Sequence, residues 1–184
     1  IIAGHPWFQN YWARDTYWTA LGMIDAGMFE EVEKILLNFA ERENFPSKIG
    51  TDGDVETEYP RCDSIPLFAI AVDELNKYYE PEYKVLDRAE ELLAGKRPRG
   101  KLIDHHADGT WMDTLQRENT VDIQSLWIEA LERFDRGTKR LRNGLEEFKE
   151  KDYMKDNLED NFESINPAVS LMFGQLEEDE AENY

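Results

Sequence analysis

Three short segments combine aromatic side chains with charged or amide side chains, a mixture that a hydrophobic core rarely selects. The first contains Trp7, Trp12, Arg14 and Asp15. Planar donors and acceptors match pairs of sugar hydroxyls, and flat aromatic rings pack against the C–H face of a pyranose. These residues therefore predict a sugar pocket at the start of a helix. The alternative is an ordinary helix start with a local ion pair between Arg14 and Asp15.

The second segment runs from Asp104 to Asp113 and ends in Thr-Trp-Met-Asp. A carboxyl group packed by Trp111 and Met112 would have its pKa raised by desolvation, as a general acid working near neutral pH requires. Asp113 is therefore predicted to be the general acid, and the alternative is that Asp113 caps the next helix. His105 and His106 are adjacent and would point apart, so the sequence predicts loop donors and no metal site.

The third segment, Asp122–Leu131, places Gln124 and Trp127 one helical turn apart, so that both could face a pocket. Core packing accounts for its aliphatic side chains. The sequence has no Gly-rich phosphate loop, no zinc pattern and no Gly-x-Ser-x-Gly elbow. Nucleotide chemistry and nucleophilic acyl transfer are therefore not expected, and no cofactor is predicted.

The composition narrows the class of partner. The 184 residues carry 21 Lys and Arg against 40 Asp and Glu, a formal charge of −19, which argues against nucleic acids and anionic membranes as partners. Hydrophobic residues make up 41%, enough for a packed core. The single cysteine, Cys62, allows no internal disulfide, which fits a cytoplasmic protein. The sequence does not indicate an oligomeric state.

Helical periodicity recurs along the chain as a buried helix followed by an amphipathic one. Gly27 is predicted to stop the first helix and Asp63 to cap a later one. The predicted pairs are 11–26 with 28–43, 63–79 with 85–93, and 120–134 with 139–151. No run of alternating β-branched residues predicts a strand. The pattern predicts an all-α fold, either a toroid or a solenoid.

Two long irregular stretches, 44–62 and 95–119, separate the helix pairs and hold much of the Gly and Pro. Long connections in a compact domain are usually functional or disordered. In a toroid, these two would lie at one end. The acidic run 177–182 is predicted to be a solvated tail.

Several of these segments, taken in order, resemble the motifs of archaeal and bacterial glycogen debranching enzymes of the amylo-α-1,6-glucosidase type. The main matches are 3–8 with 12–16, 104–113 and 121–131, and the weaker ones are 59–63 and 165–171. The last of these lacks the Arg of the family's motif. The resemblance implies that Asp113 is the general acid. Among the residues implied or predicted to bind substrate are Trp7, Trp12, Arg14, Asp15, Asp63, His106, Trp111, Gln124 and Trp127.

The same resemblance implies an (α/α)6 barrel and hydrolysis of the α-1,6-linked glucose left at a glycogen branch, with a glucan as substrate. A complete barrel has twelve helices and about seven are visible, so residues 1–184 are expected to be one domain in partial form. The general base of this family comes from later in the barrel. Two alternatives remain: an α-glucosidase like glucoamylase or trehalase, and a glucan-binding or assembly module of the same fold that lacks its base.

Overall fold

The structure is a computed structural model that describes residues 1–56, 62–96, 98–107, 109–111, 116–150, 153–159 and 164–176. The chain forms two compact units, 1–95 and 96–184. No helix in the described part is long and apolar enough to cross a bilayer.

Within its described residues, the first unit contains two helical hairpins. Its helices are α1 (Ala13–Asp25), α2 (Phe29–Ala40), α3 (Ser64–Asn76) and α4 (Tyr83–Gly95). Buried side chains recur every three or four residues on α2 and α4, at Val32 and Leu36 and at Val85 and Ala89. In contrast, α3 is buried on almost every side. The predicted alternation of buried and amphipathic helices is confirmed for the second hairpin. In the first hairpin it is wrong, because α1 exposes Asp15, Thr19, Gly22 and Asp25 along one face.

Helices α1 and α3 pack side by side and run in the same direction. Their first turns are joined by an ion pair between Arg14 and Asp63. One turn further along both helices, the rings of Tyr17 and Phe68 meet edge to face, with centroids 5.5 Å apart. Because equivalent turns contact each other, the two helix starts lie at the same end of the unit.

The amphipathic helices α2 and α4 are also parallel neighbours. The carboxylate of Glu33 accepts the backbone N–H of Glu82 at 2.8 Å, just before α4. At the other end of α2, the Arg88 guanidinium donates to the carbonyl of Arg42 at 3.1 Å. The hairpins therefore repeat with the same polarity.

The first helix stops where the sequence predicts it. Gly27 has a positive φ of 76°, a conformation that L side chains rarely adopt. The N–H of Gly27 bonds the carbonyl of Ile24 at 2.8 Å, and the N–H of Met28 bonds that of Met23 at 2.9 Å. These two bonds form a Schellman motif, so a single glycine ends α1 and turns the chain into α2.

A small antiparallel sheet, absent from the prediction, pairs the residues just before α1 with the stretch after α2. Its strands are β1 (Tyr11–Trp12), β2 (Lys48–Ile49) and β3 (Val55–Glu56), in the order β1-β2-β3. Strands of two residues are too short to show alternation, so no sequence pattern could reveal them. The sheet fixes where the chain enters α1 and ties the stretch after α2 to that point.

The second unit is built around α5 (Val121–Arg133), whose residues are buried on nearly all sides. Two further helices pack against it, α6 (Lys139–Leu145) and α7 (Ala168–Met172), and a 3₁₀ turn (Glu146–Phe148) continues α6. The described chain is thus all-α apart from the short strands, which confirms the predicted fold class. Closure into a ring and a single domain stay predictions. The acidic run 177–182 lies outside the described residues.

Candidate active site

An ion pair at the starts of α1 and α3 forms the centre of the first candidate cluster. Nε of Arg14 contacts Oδ2 of Asp63, and the carboxylate is 5% exposed. The predicted alternatives for both residues need correction. Arg14 pairs with Asp63 rather than with its neighbour Asp15, whose side chain is exposed. Asp63 occupies the N-cap position, but its side chain makes no capping hydrogen bond and reaches α1 instead.

The residues at and just before the starts of α1 and α3 also carry buried polar atoms that have no hydrogen-bond partner among the described residues. They are Nε1 of Trp12, Nη2 of Arg14, Oγ1 of Thr16, the hydroxyl of Tyr17 and Oγ of Ser64. Leaving one such atom unsatisfied costs about 1–3 kcal/mol, and native proteins keep them where water or a ligand completes the set. All five belong to the first turns of α1 and α3 or to the residue that precedes α1. Together they provide donors and acceptors at a single end of the unit.

Sequence reasoning missed three members of this set, Thr16, Tyr17 and Ser64. Thr16 could have been predicted from the sequence, because it is the last residue of the matching segment 12–16 and lies one turn after Trp12. Tyr17 packs as a core aromatic against Phe39 and Phe68, so its hydroxyl gives no separate signal in a sequence. Burial raises the pKa of Tyr17 well above its ordinary value, which keeps the hydroxyl a neutral donor.

The aromatic residues before α1 differ in how far they are buried. Trp12 is half-buried, with the Phe8 ring edge-on at 6.4 Å and Nζ of Lys48 at 5.0 Å from the indole centroid. Trp7 is 85% exposed on a tight turn closed by backbone bonds between Gly4 and Phe8. Trp7 therefore offers a ring face to solvent, whereas Lys48 lies over the Trp12 ring.

In the second unit, a buried carboxylate organises the segment around Trp111. Asp156 is fully buried and accepts Nη1 of Arg117 at 2.8 and 2.7 Å, Oγ of Ser164 at 2.6 Å, and Nδ2 of Asn166. Burial alone would raise the pKa of Asp156, but the hydrogen bonds from Ser164, Arg117 and Asn166 outweigh it and hold the pKa below its ordinary value. The carboxylate is thus kept charged inside the unit.

This network reaches the surface at Trp111. The indole Nε1–H donates to Oδ1 of Asn166 at 2.7 Å while 47% of Trp111 remains exposed. Arg117 also donates from Nη2 to Oγ1 of Thr110 at 2.6 Å, and its backbone N–H bonds the carbonyl of Ala107 at 2.9 Å. Asp113, the predicted general acid, lies outside the described residues, between Trp111 and Arg117 in the chain.

The two adjacent histidines have different environments. His105 is buried, and its Nδ1 bonds the carbonyl of His106 at 3.0 Å while the backbone N–H of Thr120 donates to its Nε2 at 3.1 Å. These partners require a neutral ring with the proton on Nδ1. His106 is exposed, and its predicted role as a donor to the sugar stays a prediction. His105 therefore joins the loop to the start of α5.

The free energy of unfolding should decrease as the pH drops below 6.5, because His105 is buried. Desolvation by burial lowers the pKa of His105 from 6.5, although its bond to the His106 carbonyl acts the other way. The unfolded chain therefore binds more protons as pH drops below 6.5, and the folded state loses stability down to the folded-state pKa. Urea unfolding at pH 7.5 and 5.5 measures this loss, which His105→Gln should reduce. The exposed neighbour provides the control, since His106→Gln should keep the loss of stability at low pH. Equal pH dependence in the wild type, His105→Gln and His106→Gln would contradict this role of His105.

Gln124 and Trp127 are both buried inside the second unit. The Gln124 amide is fully buried and bonds both backbone groups of Ile103, accepting its N–H at 2.7 Å and donating to its carbonyl at 3.0 Å. Trp127 is 1% exposed. Their predicted part in sugar binding stays a prediction. Among the described residues, no group of three or more His, Cys, Asp or Glu could hold a metal ion.

The first unit thus places exposed aromatic rings in the segment before α1 and buried polar atoms at the starts of α1 and α3. Comparison with known families gives a more specific result, since the family model described as amylo-alpha-1,6-glucosidase matches residues 1–184. The chain belongs to this family and is a glycoside hydrolase-related domain of the debranching-enzyme type. Neither the comparison with curated proteins nor that with solved structures found a match.

Proposed function

We propose that this protein is a glycoside hydrolase that releases glucose from α-1,6 branch stubs of glycogen-like glucans with inversion at the anomeric carbon. The observation that carries the sugar-binding part is the set of buried polar atoms, without partners among the described residues, at the helix starts that carry Arg14 and Asp63. A glucose residue presents hydroxyls that both donate and accept, which matches a set that contains an indole N–H, a guanidinium and three hydroxyls. Buried atoms of this kind are costly unless something completes them.

In this proposal the side chains have separate tasks. The Arg14 guanidinium and the Asp63 carboxylate hold hydroxyls of the non-reducing glucose, and Asp15 and His106 add exposed polar contacts. Trp7, Trp12 and Trp111 supply ring faces for the sugar. Since Trp7 and Trp111 are the more exposed, they are the main stacking surfaces.

Asp113 is proposed to protonate the glycosidic oxygen as the bond to the anomeric carbon breaks. A general base, for which we propose no described residue, removes a proton from the attacking water on the opposite face of the ring. Inverting enzymes hold the two carboxyl groups about 6.5–9.5 Å apart to leave room for that water. The product would be β-glucose.

A panel of three substrates tests this function in the full-length protein. We expect glucose release from a limit dextrin with single α-1,6 glucose stubs to exceed release from linear maltooligosaccharides or trehalose. NMR of the first product should show the β-anomer. Faster release from maltooligosaccharides or from trehalose would assign a glucoamylase-like or trehalase-like activity instead. Binding of the dextrin without release would show a glucan-binding module.

A further inference from the structure

Aromatic rings form a small surface at the end of the first unit where α1 leads into α2 and α3 leads into α4. The ring of Phe29, the first residue of α2, stacks on the rings of Tyr78 and Tyr79, with centroids 6.0 and 6.2 Å apart. Tyr78 is 63% exposed, and Met28, just before α2, is 42% exposed. We refer to Phe29, Tyr78 and Tyr79 as the ring surface. Since so exposed a ring buries little apolar area, the stability of the fold does not explain Tyr78.

The ring surface presents a flat face to solvent. The planes of the Phe29 and Tyr78 rings differ by only 4°. Parallel rings in full face-to-face contact would have centroids about 3.5–4.0 Å apart, so at 6.0 Å these two are displaced sideways and neither covers the whole face of the other. A flat apolar face of this kind matches the C–H face of a pyranose.

Carboxylates lie beside these rings. Glu33, one turn after Phe29, accepts the hydroxyl of Tyr79 at 3.3 Å and the backbone N–H of Glu82 at 2.8 Å. Desolvation raises the pKa of the same hydroxyl, and so do the negative charges of Glu33, Glu30 and Glu82. Sugar hydroxyls donate to carboxylates, whereas a phosphate or an acidic chain would be repelled. The polar groups therefore favour an uncharged polyol over an anionic partner.

The ring surface lies away from the candidate active site. Arg14 and Asp63 mark the end of the first unit where α1 and α3 begin, and the ring surface lies where these two helices end. At 1.5 Å per residue, the 13 residues of each helix separate the two ends by roughly 20 Å. One glucose residue cannot reach both ends, but two chains of one branched glucan can.

We propose that the ring surface is a second glucan-binding site, which holds an outer chain of the substrate while another chain occupies the candidate active site. This inference rests on the proposed function, in which the substrate is a branched glucan. Binding of one chain raises the local concentration of the others, so even a weak second site increases the affinity for a large glucan. The net charge of −19 opposes a second copy of this chain as the occupant.

Tyr78→Ala in the full-length protein tests the second site, because Tyr78 has the most exposed ring of the three. Its affinity for glycogen, measured by native electrophoresis in gels that contain glycogen, should fall at least about tenfold. On a short α-1,6 limit dextrin, which reaches only one end of the unit, kcat and KM should stay within about twofold of the wild type. Tyr78→Trp keeps a flat ring and should retain glycogen binding. Unchanged glycogen affinity in Tyr78→Ala, or an equal loss on both substrates, would overturn the proposal.

Tyr83→Ala is the matched control. Tyr83 is 69% exposed at the start of α4 in the same unit but does not belong to the ring surface. Its removal should leave the affinity for glycogen unchanged, and a loss equal to that of Tyr78→Ala would contradict a specific site. A lysine-rich peptide that binds the wild type but not Tyr78→Ala, without a change in glycogen affinity, would assign a cationic partner to the ring surface instead.

Binding of maltoheptaose to Arg14→Ala distinguishes failure of this inference from failure of the proposed function. Arg14→Ala weakens the candidate active site, so the remaining binding, measured by calorimetry, should disappear in Arg14→Ala/Tyr78→Ala. If this binding depends on Tyr78 but the limit dextrin is not hydrolysed, the second site stands and the hydrolase function fails. If the dextrin is hydrolysed but maltoheptaose binding does not depend on Tyr78, the second site is wrong and the proposed function stands.

Discussion

Asp113→Asn in the full-length protein should lower kcat on the α-1,6 limit dextrin by at least about 100-fold, the low end for loss of a general acid. Asn keeps the size of the side chain but has no proton to donate to the glycosidic oxygen. Sugar binding, measured by calorimetry with a dextrin, should change little. α-Glucosyl fluoride should recover much of the lost rate because fluoride leaves without protonation.

Arg14→Ala is the comparison variant for this experiment. It removes hydroxyl contacts that exist before and during the reaction and leaves the Asp63 carboxylate without its guanidinium partner. It should therefore weaken dextrin binding as well as turnover, and the fluoride should not restore its rate. If Asp113→Asn lost activity equally on both substrates, Asp113 would not be the acid and would be better explained as a helix cap.

Arg117→Met should lower the free energy of unfolding by about 3–5 kcal/mol at pH 7, the usual cost of leaving one member of a buried ion pair uncompensated. Side chains of Arg117 and Asp156 are 3% and 0% exposed, so water cannot replace the lost partner. The double variant Arg117→Met/Asp156→Asn should recover part of the loss, because no buried charge remains and Asn still accepts hydrogen bonds. Urea unfolding measures the free energy of unfolding of the wild type, of Arg117→Met and of the double variant.

The matched control is another Arg–Asp pair of the same unit that lies on the surface. Arg99 and Asp104 approach to 3.4 Å with side chains 86% and 59% exposed. Arg99→Met should cost less than about 1 kcal/mol, as exposed pairs usually do. Similar losses of stability for Arg99→Met and Arg117→Met would show that burial of the Arg117–Asp156 pair has no energetic consequence.

Helices were predictable from this sequence because each one repeats its buried positions over several turns. Gly27 is the clearest example, since the glycine predicts the end of α1, and the structure gives it the positive φ that glycine adopts most readily. The strand β1 was not predictable, because Tyr11 and Trp12 gain their pairing from Lys48 and Ile49, far along the chain. Local patterns carry no information about such long-range partners.

The same distinction applies to the candidate site. The sequence marks Arg14 as a candidate through its aromatic neighbours, and in the alternative interpretation Arg14 pairs with the adjacent Asp15. The structure assigns Asp63 to Arg14 instead, 49 positions away, because packing of α1 on α3 brings the two helix starts together. Asp156 gave no signal at all, since an Asp in a charge-rich stretch looks like a surface residue until burial is known.

The parallel course of α1 and α3 has an electrostatic consequence. Each helix carries roughly half a positive charge at its N-terminus, and in this unit the two positive ends lie side by side. The Asp63 carboxylate lies at this paired end and offsets both dipoles as well as the Arg14 guanidinium. Asp15, in the first turn of α1, adds a second negative charge at this end, so the field of the two helix ends is balanced locally. Because such a field acts only over the first turn, an uncharged polyol would feel it through individual hydrogen bonds and not through long-range attraction, and recognition there would depend little on salt.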